Sequence, residues 1–203
     1  MLTGTAKENL SASALAPDTS TWQLRTGARC QLVIGRFPPF DYDASRGGGL
    51  VLHSPADAHG VQQLRVPCEG LTIPPLDSQT ARLFGVPLPP GISVQIQPDR
   101  LEGVLNPSSG EVNLTFRSRF RFTLGPASRP LYQASDLIVE TALTSGTSHG
   151  RRHRSQGQPL NDEGRGRLVG VATISPCQDG WLNAFLGLPD EALAVMDVQF
   201  LRP

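Results

Sequence analysis

Period-two alternation of apolar and polar residues dominates the chain, and its clearest run lies between Glu111 and Leu124. Val112, Leu114, Phe116, Phe120, Phe122 and Leu124 take the even positions, while Asn113, Thr115, Arg117, Arg119, Arg121 and Thr123 fill the odd ones. Successive side chains of a strand point to opposite faces, so the run predicts one long half-buried strand, with a bend allowed at Ser118. Asn106-Pro107-Ser108-Ser109-Gly110 reads as the turn before it, and Leu101–Leu105 as its hairpin partner.

The same logic places strands at Trp22–Thr26, Ala28–Ile34, Gly49–His53, Val61–Val66, Ile92–Gln97, Asp136–Leu143, Arg167–Ile174 and Leu193–Leu201. Leu168-Val169-Gly170-Val171-Ala172 is apolar on both faces and suits a strand covered on both sides. Two short helices are predicted. Asp77–Gly85 begins with an Asp cap and ends on glycine; Asp179 caps Gly180–Leu186, with Gly187 and Pro189 as stop signals. Trp181, Leu182, Phe185 and Leu186 share one face of the second helix, which either plugs the end of the fold or offers a docking face. Residues 1–20 read as a flexible tail, and residues 145–166, without apolar periodicity, as a mobile loop.

These elements predict a single all-β domain over residues 21–203. The expected fold is an antiparallel β-sandwich or barrel of about eight to ten strands, with one or two short end-capping helices. Composition adds exclusions. The 21 glycines and 18 prolines among 203 residues are too few for a low-complexity chain. A formal net charge of zero argues against a nucleic-acid partner. No run approaches the ~20 apolar residues of a membrane span, and the first residues lack the apolar core of a secretory signal. Cys30, Cys68 and Cys177 have no paired spacing and read as free thiols, which places the chain in the cytoplasm.

Catalytic signatures are missing: there is no nucleophile elbow, phosphate-binding loop, zinc-protease helix or dinucleotide fingerprint. Gly47-Gly48-Gly49 leads into a strand and opens no helix, so it reads as a turn rather than a phosphate cradle. His53, Asp57 and His59 form a weak metal-like cluster, better explained as a polar surface loop; no metal or cofactor is expected. Phe37, Phe40 and Tyr42 surround two prolines and either close the core or form a rigid binding lip. Arg151-Arg152-His153-Arg154 reads as a solvated basic run.

Arg117, Arg119 and Arg121 share one strand face. Like charges in a row need an answering acid or anion, so they form an internal ion-pair ladder with Glu102, Glu140 or Asp197, or a site for an anionic ligand or acidic partner. The expectation is a soluble, non-catalytic accessory protein. It recognises a protein surface or a small, partly apolar ligand through Phe37, Phe40, Tyr42, Arg117, Arg119, Arg121, Trp181 and Phe185. The alternative is an enzyme of isomerase, lyase or hydrolase type whose residues converge from distant strands in a barrel mouth.

Overall fold

A computed structural model describes residues 20–126 and 128–202, with the side chain of Ser20 left aside. The expected tail lies outside the described residues except for Ser20. The strands are β1 (Ser20–Thr26), β2 (Cys30–Ile34), β3 (Phe40–Tyr42), β4 (Gly48–His53), β5 (Gln62–Arg65), β6 (Ala81–Leu83), β7 (Val86–Pro87) and β8 (Ile92–Asn106). They continue with β9 (Glu111–Leu124), β10 (Tyr132–Gln133), β11 (Leu137–Thr144), β12 (Thr147–His149), β13 (Arg154–Gln156), β14 (Arg165–Ile174) and β15 (Asp190–Leu201). Among the described residues one α-helix, α1 (Gly180–Leu186), joins β14 to β15.

Antiparallel pairings run β1–β4–β5–β8–β9–β11–β14–β15 and return to β1, closing a ring and making the fold a barrel. β15 has two neighbours on its far side. Residues 198–201 pair with β1 and residues 192–195 with β2. Between them, the Gly27 N–H donates to the Asp197 carbonyl at 2.8 Å. A Cβ on Gly27 would stand 2.9 Å from that of Asp197, so glycine permits the corner. From β2 the sheet continues through β3, β6 and β7, and a Leu76–Val94 bridge ties this branch back to β8.

β8 merges two stretches that the pattern separates. Val94 and Ile96 face inward on even numbers, Leu101 and Leu105 on odd ones. A register shift between Pro98 and Arg100 changes the parity, and proline, lacking an N–H, is at home in such a bulge. Ser118, opposite the bulge and fully buried, donates its hydroxyl to the Gln97 carbonyl at 2.7 Å.

Inward side chains form three clusters along the long strands. Trp22, Leu24, Val51, Leu105, Val112 and Phe200 belong to the largest. Ala134, Leu137, Val139, Ala172, Ile174 and Leu182 pack under α1, where Phe120 and Phe122 join them. Cys30, Tyr42, Ala44, Leu76 and Ala81 fill the space beneath the β3–β6 branch. Side chains occupy the ring interior, and among the described residues no helix is long and apolar enough to cross a membrane.

Two expectations are revised. Asp77–Gly85 is a turn followed by a tight hairpin, not a helix. The Asp77 carboxylate accepts the N–H groups of Gln79 and Thr80, at 2.8 and 3.2 Å, so the cap closes a turn instead. Phe84 and Gly85, at φ 53° and 78°, then reverse the chain between β6 and β7. The segment 145–166 is not structureless either, since β12 and β13 form a hairpin lying over β14 and β15. The Ser148 hydroxyl accepts the Val171 N–H at 3.0 Å. Leu160, 8% exposed, enters the core at the end of the barrel opposite α1. The alternation reading missed both contacts because each anchor is a single residue.

Candidate functional site

α1 is two turns long and is held by its caps. Oδ1 of Asp179 accepts the Leu182 N–H at 2.9 Å, and Gly187 ends the helix in the left-handed conformation at φ 69°. Leu182 is fully buried beneath it. Trp181 and Phe185, four residues apart, share a face and stack with centroids 5.1 Å apart and planes 6° apart. They are 49% and 48% exposed.

Three further rings buttress this pair. Tyr132 of β10 meets Trp181 edge-on at 5.3 Å, Phe122 of β9 lies 6.0 Å from Trp181, and Phe37 lies 5.4 Å from Phe185. The Tyr132 hydroxyl donates to the other Asp179 oxygen, so the residue that caps α1 also fixes the ring beside it. Desolvation, and then this hydrogen bond, pushes the Tyr132 phenol up to about 12. The Tyr132 hydroxyl, followed by the Leu182 N–H, holds the Asp179 carboxyl below its ordinary range. Four separate chain segments thus build a fixed aromatic surface.

Phe37, Trp181 and Phe185 therefore come together. Phe40 is half-buried in β3 and pairs in register with Leu32 and Leu83. Tyr42, at 2% exposure, is a core residue whose hydroxyl donates to the Pro74 carbonyl, which removes it from any surface lip. Burial raises its phenol well above the usual range. His53 is buried against Trp22, with ring centroids 4.0 Å apart, and its Nδ1 lies 3.2 Å from the Ser54 carbonyl. Asp57 accepts the N–H groups of His59 and Val61 in a turn, at 2.8 and 2.9 Å. Among the described residues no group of three or more His, Cys, Asp or Glu side chains gathers as a metal site.

This chain matches no known protein family, no curated protein and no solved structure.

Each arginine of the β9 stripe meets an acid. Arg117 lies 3.5 Å from Glu140. Arg119 grips Asp99 through Nε and Nη2 at 3.0 and 2.8 Å, and Arg121 grips Asp136 at 2.7 and 3.0 Å. Of the acids expected, Glu140 takes part, whereas Glu102 pairs with Arg100 and Asp197 with Arg167. The bulge in β8 turns Asp99 to the outer face, a placement the linear pattern does not show. Exposed pairs of this kind contribute about 0–1 kcal/mol each. An Arg117→Gln/Arg119→Gln protein is therefore expected to lose less than about 2 kcal/mol of unfolding free energy, measured by urea titration. A larger loss would show that the ladder holds the hairpin together.

Proposed function

We propose that this protein is a non-catalytic binding protein that holds a partner protein on the aromatic surface at its α1 end. The carrying observation is the half-exposed Trp181–Phe185 stack, fixed by a capped helix and three supporting rings. Rigid aromatics lose little entropy on binding and are enriched among the residues that dominate interfaces. Side chains occupying the ring interior favour an occupant on this surface over an apolar cargo in the barrel mouth. Arg36, exposed beside Phe37, has no acid within ion-pair distance among the described residues, which favours a partner with an acidic rim. The free thiols of Cys30, Cys68 and Cys177 support a reducing compartment such as the cytoplasm.

The test compares wild-type protein with a Trp181→Ser/Phe185→Ser variant, both purified from native extract and checked for folding by circular dichroism. A protein retained by the wild type is then purified and titrated calorimetrically. The variant is expected to bind it at least about thirtyfold more weakly, as losing an interface hot spot does. Equal affinity would overturn the proposal. A small molecule displaced from the wild type by mass spectrometry, with no protein retained, would replace a protein occupant by an apolar ligand.

A further inference from the structure

A second surface, on the flank of the barrel, has the opposite chemistry. A groove of about 750 Å³ runs over β1 and the start of β4 to residues 70–72 and the end of β15. Arg25, Arg46 and Arg202 line it together with Thr21, Ser45 and Thr72. Among the described residues no aspartate or glutamate lines it.

None of these three guanidinium groups lies within ion-pair distance of an acid among the described residues, although the chain carries as many acids as bases. Arg25 reaches Gln23, at 3.5 Å. Asp43 is the acid that feels Arg46, but its carboxylate accepts the Ser45 N–H at 2.9 Å instead. Arg202 lies over the Trp22 ring, 5.1 Å from its centroid, which holds the cation in place by attraction to the indole face.

The stripe expected to take an anion, on β9, stands four strands away around the ring and is answered by its own acids. Arg25, Arg46 and Arg202, three of the nine arginines that make no ion pair among the described residues, line this one groove. Guanidinium groups match phosphate oxygens two at a time. Hydroxyl side chains donate to such oxygens as well.

We propose that this groove binds a compact polyphosphate, a ligand with two or more phosphate groups, independently of the aromatic surface. Its source is either a soluble phosphorylated metabolite or a multiply phosphorylated lipid headgroup.

The experiment uses the full chain. Inositol hexakisphosphate and tripolyphosphate are titrated by calorimetry, and vesicles of phosphatidylcholine with or without phosphatidylinositol bisphosphate are tested by cosedimentation. Saturable binding that weakens as salt rises is expected with at least one of these probes. Arg25→Gln/Arg46→Gln/Arg202→Gln should weaken it at least about tenfold, whereas Arg117→Gln/Arg119→Gln should leave it unchanged. Leu50 lines the groove and is half exposed. Leu50→Glu places a carboxylate there without touching any arginine, so it should also weaken binding and serves if the triple variant does not fold. Binding to soluble polyphosphate assigns a metabolite, and binding to the phosphoinositide vesicles alone assigns a headgroup. No binding to any probe, or equal loss in the β9 variant, would overturn the proposal.

Discussion

Replacing Phe200 with alanine is expected to lower the unfolding free energy by about 3–5 kcal/mol, the usual effect of truncating a fully enclosed phenylalanine. Phe200 is 1% exposed and belongs to the cluster of Trp22, Leu105 and Val112. Its strand is also held on both sides: β1 pairs with it in register, and the Phe200 N–H donates to the Gly164 carbonyl at 2.9 Å. That backbone cannot sink into the space left by the ring, so a cavity persists. The measurement is the urea midpoint at unchanged slope. Phe84, 79% exposed at the β6–β7 turn, is the control, and Phe84→Ala should shift stability by less than about 0.5 kcal/mol. Equal effects at the two positions would contradict the inward assignment of the even residues of β15.

The second large effect concerns Glu191, a carboxylate 7% exposed on the outer face of β15 beneath the β12–β13 hairpin. Its oxygens accept the N–H groups of Arg151 and Arg152 at 2.6 and 2.8 Å, and that of His153 at 3.4 Å. Arg152 also reaches Asp190, at 3.3 Å. Gly150 makes this approach feasible, because a Cβ there would lie 2.6 Å from a Glu191 oxygen. The Arg151 and Arg152 N–H groups hold the Glu191 carboxyl below its ordinary value of 4.5. A carboxylate with a depressed folded-state pKa stabilises the fold above its unfolded value, and that contribution is lost as pH falls through the folded one. Amide exchange at Arg151 and Arg152 should therefore be slow at neutral pH and accelerate as pH drops below 4.5, after correction for intrinsic rates. Glu191→Ala should give that fast exchange at neutral pH, with trypsin cleavage after Arg151 and Arg152 roughly tenfold faster or more. Wild-type protection unchanged in acid would remove the carboxylate from this role.

Legibility in the sequence followed the length of the local signal. β9 was readable because its alternation continues for fourteen residues, and α1 because Asp179 and Gly187 mark both its ends. β8 read as two strands, since the bulge at Pro98 turns an even inward face into an odd one. Strands of two or three residues, such as β3, β10 and β12, show no period, and their neighbours in the sheet create them. Asp77 carried a true capping signal, but a side chain that accepts N–H groups two and three residues on serves a turn as well as a helix.

The site divides in the same way. Trp181 and Phe185 stood out at helical spacing, whereas Phe122 and Tyr132 join them only because β9 and β10 lie beside α1. The ion pair of Arg119 with Asp99 crosses a hairpin whose register the bulge sets. Arg25, Arg46 and Arg202 each look ordinary in the chain, and only the closing of the ring gathers them.

The place of β15 in the ring bears on how the barrel assembles during synthesis. It is the last of the ring's strands in chain order, yet it borders β14, β1 and β2. Before residues 190–201 have left the ribosome, β1 and β2 already exist but have open backbone edges toward the missing strand. Local hairpins such as β8–β9 form early, because their ends are close along the chain. Ring closure must join segments from near opposite ends of the described chain, the kind of contact that slows folding. Over that interval the exposed edges are open to other chains as well as to their own, and the time a newly made molecule spends without its final strand sets its exposure to aggregation.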